Sequence, residues 1–469
     1  MSFKEVKASV NLVLKLRQAA LAKIFQFENL SGKNNWVFQI QRVPRVCVLA
    51  SSSRGGTAVT AELLQWQGAN CINSAGRLLS LPGEEKPHLV LAGFAYPSRD
   101  EQFDDLNELD AKSINVSTLF NEIRSEIGYP MEYCGNLELY AIQLYRRLLL
   151  QWPIDLALID INESIVRLTK ALQVTFPNGY FNSLENRRKV LKVCLSCFSF
   201  IHPSFYDCRY YDAKEDLAAH LSDGCWSFEE TPFVLPPPWQ NATAADLEKG
   251  CLLLRDPSNA WRLPFWRAVF QRQEFEILHL VRDPRESIQG LCDGWNYPFG
   301  FQTMPSNSSL DIKGYTDNLC EGDFEWKLNR LNFSICKDLK KKLFDEKEML
   351  SLVQVCAFQW KDAHDSIIKV CKSLKLSPRI IYFSDLRGNT EKTFKNICDS
   401  FKLEYSKSGI SFAQSFNDHW VMVTPLAKLY GYNRWKTSSF SNEIIELFFS
   451  GYFDEVNIKL GLPLSNESN

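Results

Sequence analysis

Five short apolar runs constrain this chain most: "RVCVLA" (45–50), "HLVLAGF" (88–94), "GCLLLRD" (250–256), "FEILHLV" (275–281) and "RIIYF" (379–383). Each is followed by helix-like pattern. A strand whose residues are apolar almost without alternation is buried on both faces, so the repeated order of strand then helix predicts a parallel α/β sheet covered on both sides. With 469 residues, 45% of them apolar and 23% charged, the chain has enough material for a sizeable core.

Two stretches break the rhythm. Residues 100–245 carry helical segments such as "NLELYAIQLYRRLLLQW" and "SLENRRKVLKVCLSCF" and close on the proline-rich "ETPFVLPPPWQ", which predicts a mainly helical insertion. A second, at about 296–345, opens with "WNYPFGFQTMPSNSS". Both are expected to form a substrate cap, because insertions beyond the carboxyl ends of sheet strands often build binding sites. The aromatic residues of the second fit either an acceptor pocket or a local core. Residues 1–40 read as an amphipathic helix, and 41–99 with 246–469 as the two parts of the sheet domain.

A net charge of −2 gives no general attraction to nucleic acid or anionic membrane, so an anionic ligand needs local positive charge. No apolar run approaches the ~20 residues of a membrane span. The amino-terminal segment has charges throughout and does not read as a secretory signal, which makes a cytoplasmic location the expectation. Fourteen scattered cysteines suit reduced, buried thiols. The close pair Cys194 and Cys197 has no second pair at zinc-site spacing and reads as helix packing.

In "VCVLASSSRGGTAVTAELL" (46–64) a strand runs through a turn of small residues into a helix. Backbone N–H groups at a helix amino terminus favour an oxyanion, Gly55 and Gly56 permit close approach, and Arg54 adds a forked charge. Taken alone, the turn fits equally an ordinary strand-to-helix connection. The pattern GxxxxGK[ST] is missing, and without its lysine ATP or GTP hydrolysis is disfavoured. "FEILHLVRDPRESIQGLCDGW" (275–295) repeats the arrangement, with Arg282 and Arg285 at the strand end and Pro284 placed to start a helix. Two basic turns at the carboxyl ends of strands in one sheet are suited to gripping two separated anionic groups of one ligand.

This pair of turns resembles the nucleotide-contacting motifs of sulfotransferases that use 3′-phosphoadenosine 5′-phosphosulfate (PAPS). The resemblance implies a three-layer, P-loop-like α/β fold. It implies that Arg54, Gly55, Gly56, Thr57 and Ala58 cradle the 5′-phosphosulfate, Ala58 replacing a usual hydroxyl residue. Arg282 matches the arginine that opens the 3′-phosphate motif. The family's serine eight residues later is here Gly290, with Ser287 as the nearby hydroxyl. "CLLLRDPSNAWRLPFWRAVF" resembles the segment before that motif, with Arg255 at a lysine position. "FQWKDAHDSIIKVCKSLKLSPRIIYFSDLRGNTEKTF" resembles the helix, strand and "YEDL"-like turn of bacterial members. "YGYNRWKTSSFSNEIIELF" resembles their "GRW" loop, which makes Arg434, Trp435 and Lys436 nucleotide contacts by resemblance.

Sulfuryl transfer needs an activated acceptor, in-line positioning and stabilisation of the departing phosphate; it requires no metal. Arg54 would face the bridging oxygen and Arg255 the sulfuryl oxygens. The histidine base of cytosolic animal members is replaced by Pro257. "LPGEEKPHL" is similar to the "GEE" sequence of tyrosylprotein sulfotransferases, which points to Glu85, then Glu84, as general base; both fit equally as solvated loop charges. Asp256 is a lesser base candidate and fits better an ion pair or turn cap. His279 and His202 read as structural. The expected reaction moves the sulfuryl group of PAPS to a hydroxyl or amine of a small-molecule acceptor, such as a secondary metabolite, releasing PAP. A nucleotide kinase and a non-catalytic nucleotide- or partner-binding protein are the other readings.

Overall fold

The computed structural model describes residues 45–52, 55–57, 60, 64, 69–72, 78–80, 87–90, 127–130, 134–151, 156, 158–181, 185–199, 238–241, 244–255, 259–270, 273–296, 350–403 and 433–467. The expected helix at 1–40 and cap at about 296–345 lie essentially outside them.

Strands β1 (Arg45–Ala50), β7 (Cys251–Arg255), β8 (Glu274–Val281) and β9 (Arg379–Tyr382) coincide with four of the apolar runs. With β2 (Ala69–Ile72), β5 (Ile127–Pro130) and β6 (Trp239–Asn241) they form a seven-stranded sheet in the order β6-β5-β2-β7-β1-β8-β9. The strands from β2 to β9 in that order all run parallel, whereas β5 and β6 add antiparallel at the other edge. The run at 88–94 departs from expectation. Its β4 (Pro87–Val90) pairs antiparallel with β3 (Leu78–Ser80) in a separate two-stranded sheet, so apolar content alone did not identify its partner.

Both faces of the parallel sheet are covered. On one, Cys47, Leu49, Leu253, Leu278 and Leu280 pack against Phe383 and Leu386 of α8 (Phe383–Gly388) and Phe394, Ile397 and Phe401 of α9 (Thr390–Phe401). On the other lie α5 (Asn259–Val269) and α7 (Leu352–Ser373). The Asn259 amide donates to the Leu49 and Leu254 carbonyls at 3.1 Å and locks α5 under β1 and β7. Parallel, doubly covered strands flanked by helices place the chain in the α/β class, in three layers.

α7 starts where its sequence says it must. Ser351 accepts from the Gln354 amide at 3.1 Å while the Gln354 side chain accepts from the Ser351 amide at 2.8 Å, a reciprocal cap. Beside β8, α6 (Pro284–Asn296), α7, α10 (Ser441–Phe449) and α11 (Asp454–Leu460) share a core that includes Ile288, Leu291, Val353, Trp360, Ile444 and Phe453. Trp360 is fully buried, so Trp360→Ala would cost about 3–5 kcal/mol.

His279 leaves the α8 side and meets His364 of α7, Nε2 to Nδ1 at 2.8 Å, with both rings buried. Desolvation lowers the His279 pKa to about 3; desolvation and then the neighbouring His279 hold His364 well below its usual range. Both imidazoles are therefore neutral, and one donates to the other.

Within 100–245, helices α1 (Leu137–Gln151), α2 (Ile161–Thr175) and α3 (Glu185–Cys197) share an apolar core of Tyr140, Leu144, Leu168, Leu172, Cys194 and Phe198. Asp160 caps α2 by accepting from the Glu163 amide at 3.0 Å. Cys194 and Cys197 are buried free thiols of that core, and burial raises the pKa of both. The short α4 (Ala244–Lys249) leads into β7. Among the described residues no helix is long and apolar enough to cross a membrane.

Candidate anion-binding site

Three basic segments of the sequence emerge at the carboxyl ends of β7, β1 and β8, which are neighbours in the sheet. Register sets Arg255 of β7 opposite Leu49 of β1, and Ala50 of β1 opposite His279 of β8. Arg255 is half-buried at its strand end.

The turn after β1 is tied down by short hydrogen bonds. Ser51 Oγ donates to the Leu280 carbonyl at 2.7 Å, the Gly55 amide closes on the Ser52 carbonyl at 3.0 Å, and the Thr60 amide reaches the Gly56 carbonyl at 3.1 Å. Gly55 and Gly56 are required for space as well as freedom. A Cβ on Gly55 would lie 2.0 Å from Ser51 Oγ; one on Gly56, whose φ is +97°, would lie 2.2 Å from Cε2 of Phe383. Thr57 is buried just beyond. The Ser52 hydroxyl is buried without a hydrogen-bond partner. A buried orphan hydroxyl carries a cost that a ligand oxygen would remove.

The turn after β8 is built around Asp283. It caps α6 by accepting from the Arg285 amide at 2.9 Å, and it takes the Arg285 guanidinium through Nε at 3.0 Å and a terminal nitrogen at 2.7 Å. Arg285 then lies over the Phe448 and Trp435 rings, at 4.2 and 4.8 Å from their centroids. Arg282 instead lies over Phe383. Its guanidinium lies 4.9 Å from the centroid of Phe383, the ring that also fills the space beside Gly56. Its Nε donates to Glu286 at 3.1 Å, and Arg387 of α8 approaches the other oxygen of Glu286 at 3.7 Å. Phe383 therefore joins the two turns across β1 and β8.

Ser287, in the first turn of α6, is fully buried with its hydroxyl unpartnered, whereas Gly290, one turn further, is half-buried. Arg434 opens a short 3₁₀ turn (Arg434–Lys436) and forms an ion pair with Asp293 of α6. Gln289 donates to Asp293 at 2.8 Å and accepts from Ser438. This network fixes the turn against α6, with Trp435 over Arg285 and Lys436 exposed beside the Trp435 ring.

Among the sequence candidates, Gly55, Gly56, Thr57, Arg282 and Ser287 occupy two adjoining turns, and Arg255 ends the next strand. Arg434 is engaged by Asp293. Arg54, Ala58, Glu84, Glu85 and Asp256 lie outside the described residues, as does His202. Phe383 and Arg387 escaped the sequence reading because nothing in "YFSDLRGN" marks an aromatic floor or a cation by spacing. Ser52 was equally hidden, one serine in a run of three. Among the described residues no group of His, Cys, Asp and Glu side chains is placed to hold a metal ion.

Neither a family model nor a curated protein matches the chain. It aligns with the solved sulfotransferase domain from the curacin biosynthetic pathway at 10% identity and a TM-score of 0.32, covering 90% of this chain and 99% of that one. The sulfotransferase domain from the Synechococcus PCC 7002 olefin synthase aligns at 11% identity and 0.30, covering 88% and 97%. Neither superposition is close enough to transfer fold or function.

Proposed function

We propose that this chain is a sulfotransferase that binds PAPS and moves its sulfuryl group to a hydroxyl or amine of a small-molecule acceptor. The observation that carries this reading is the apposition of the two turns: Gly56 and Arg282 meet the same Phe383 ring from neighbouring parallel strands. Two helix-opening turns this close suit a ligand with anionic groups at both ends. The buried, unpartnered Ser52 and Ser287 hydroxyls fit such a ligand, since each lacks an acceptor of the kind a phosphate oxygen would supply.

The donor brings a sulfuryl group already attached to a good leaving phosphate. The protein's part is then to hold and to polarise. The Gly55–Thr57 turn, with Arg54, binds the phosphosulfate end through backbone amides and a forked cation, and Arg282 binds the 3′-phosphate. Arg255, at the neighbouring strand end, stabilises negative charge on the transferring group, where exclusion of water makes a fixed cation most effective. Glu85, with Glu84 as second choice, takes the acceptor proton. Residues 100–245 and about 296–345 cap the acceptor, whose class is a small alcohol, phenol or amine such as a secondary metabolite. No metal participates, and the location is cytoplasmic.

Calorimetric titration with the product nucleotide PAP and with ATP, both without magnesium, tests the reading. Tight binding of PAP over ATP is expected. Preference for ATP would defeat it in favour of a kinase, and PAP binding with no sulfated product across a broad acceptor panel would leave a binding protein.

A further inference from the structure

Resting on the donor reading above, we infer that Asn259, the first residue of α5, is the positioning residue that holds Arg255 against the turn after β1. Its side chain is fully buried, and its amide donates to two separate targets, the Leu49 carbonyl and the Leu254 carbonyl, both at 3.1 Å. Leu49 and Arg255 are register partners, the last pair that β1 and β7 share. Beyond them β1 runs on into the glycine turn, and Arg255 closes β7. One side-chain amide thus joins the two strands at the point where their backbone pairing stops.

Two carbonyls ask for two donors. Asparagine has them in a planar fork, together with an acceptor; aspartate offers no donor when ionised, and an apolar residue would leave both carbonyls unpaired. The acceptor is taken by Trp266 of α5, whose indole nitrogen donates to Asn259 Oδ1 at 2.8 Å. An indole N–H only donates, so it fixes which end of the amide faces the strands. Trp266 is buried as well, and an unmade hydrogen bond is costly in a place shut off from water. The glycine turn has a second anchor on its other side, because Ser51 Oγ donates to the Leu280 carbonyl of β8 at 2.7 Å. Ser51 therefore ties β1 to β8, and Asn259 ties β1 to β7. Loss of Asn259 leaves the glycine turn held to β8 and loosens the end of β7, so the effect falls on Arg255 more than on the turn.

PAPS carries the sulfuryl group assigned to Arg255 and PAP lacks it, so the ratio of their affinities reads the placement of Arg255 without any acceptor. Calorimetry with both nucleotides compares wild type, Asn259→Ala, Trp266→Phe, Arg255→Met and the double variant Asn259→Ala/Arg255→Met. Asn259→Ala is expected to weaken PAPS about tenfold and PAP no more than about twofold. Trp266→Phe keeps a ring in place, removes the orienting N–H and carries the test should Asn259→Ala fail to fold; it is expected to give the same bias at about threefold. Because Asn259 acts through Arg255, the double variant should bind PAPS no more weakly than Arg255→Met alone. Equal losses with both nucleotides, an unchanged ratio in the folded variants, or additive losses in the double variant would overturn the role of Asn259 while the donor reading stands. Wild-type protein that binds neither nucleotide, or prefers ATP, would overturn the donor reading and this inference with it.

Discussion

Gly56 faces the Phe383 ring so closely that a methyl group at position 56 would stand 2.2 Å from ring carbon Cε2, at a backbone φ of +97° that side-chain-bearing residues rarely adopt. Gly56→Ala therefore meets two penalties, strain of about 1–3 kcal/mol and displacement of the ring beneath Arg282. We expect PAP affinity to fall further than stability does. Paired calorimetry and urea unfolding on the variant check this, and a variant that binds PAP like wild type would separate the β1 turn from the ligand.

Asp293 is almost fully buried and carries both Arg434 and Gln289. Removing it leaves a guanidinium without its counter-charge in a poorly hydrated place, which costs about 3–5 kcal/mol. Asp293→Ala is expected to lower the urea midpoint strongly and to loosen the 434–438 turn, because the Ser438 link to α6 runs through Gln289. Limited proteolysis should show faster cleavage near that turn; unchanged protection would mean that the turn is held elsewhere.

The strands most legible from sequence were those buried on both faces: β1, β7, β8 and β9 are continuous apolar runs and needed no partner information. β2, "ANCI", is too short and too polar at Asn70 to stand out, and its place is set by pairing with Cys251–Leu253. The turn after β1 was legible because a tight strand-to-helix connection needs glycine, and Arg282 because it directly follows the apolar run of β8. Phe383 and Arg387 were not, since their place depends on the side-by-side arrangement of β8 and β9. The same holds for His279, which read as a lone strand histidine until His364 met it from a helix distant in sequence.

That histidine pair makes stability depend on pH. His279 has its folded pKa depressed from 6.5 to about 3, and His364 lies well below 6.5, so between those values the unfolded chain binds protons that the folded chain refuses. The pair's contribution is present above about pH 6.5 and is lost as pH falls, at up to about 1.4 kcal/mol per pH unit for each ring. Urea midpoints are expected to drop between pH 7 and pH 5. The double variant His279→Leu/His364→Leu should flatten that slope, and an unchanged slope would trace it to other groups.

Arg282 and Arg285 are three residues apart in one turn, yet they have different partners. Arg285 has its charge matched by Asp283 and its face covered by Phe448 and Trp435, whereas Arg282 pairs with Glu286 and stands over Phe383, the ring beside Gly56. Substituting Arg285 removes packing and an ion pair from the junction of α6 and α10. We expect Arg285→Met to lower stability by about 1–2 kcal/mol and to leave PAP affinity nearly unchanged. Arg282→Met should weaken PAP by about tenfold or more, the worth of a charge-assisted hydrogen bond to phosphate, with a smaller effect on stability. Thermal unfolding and PAP titration of both variants check the division. Equal losses of PAP affinity would show that the turn binds its ligand as one unit, with Arg285 released from Asp283 when the phosphate enters.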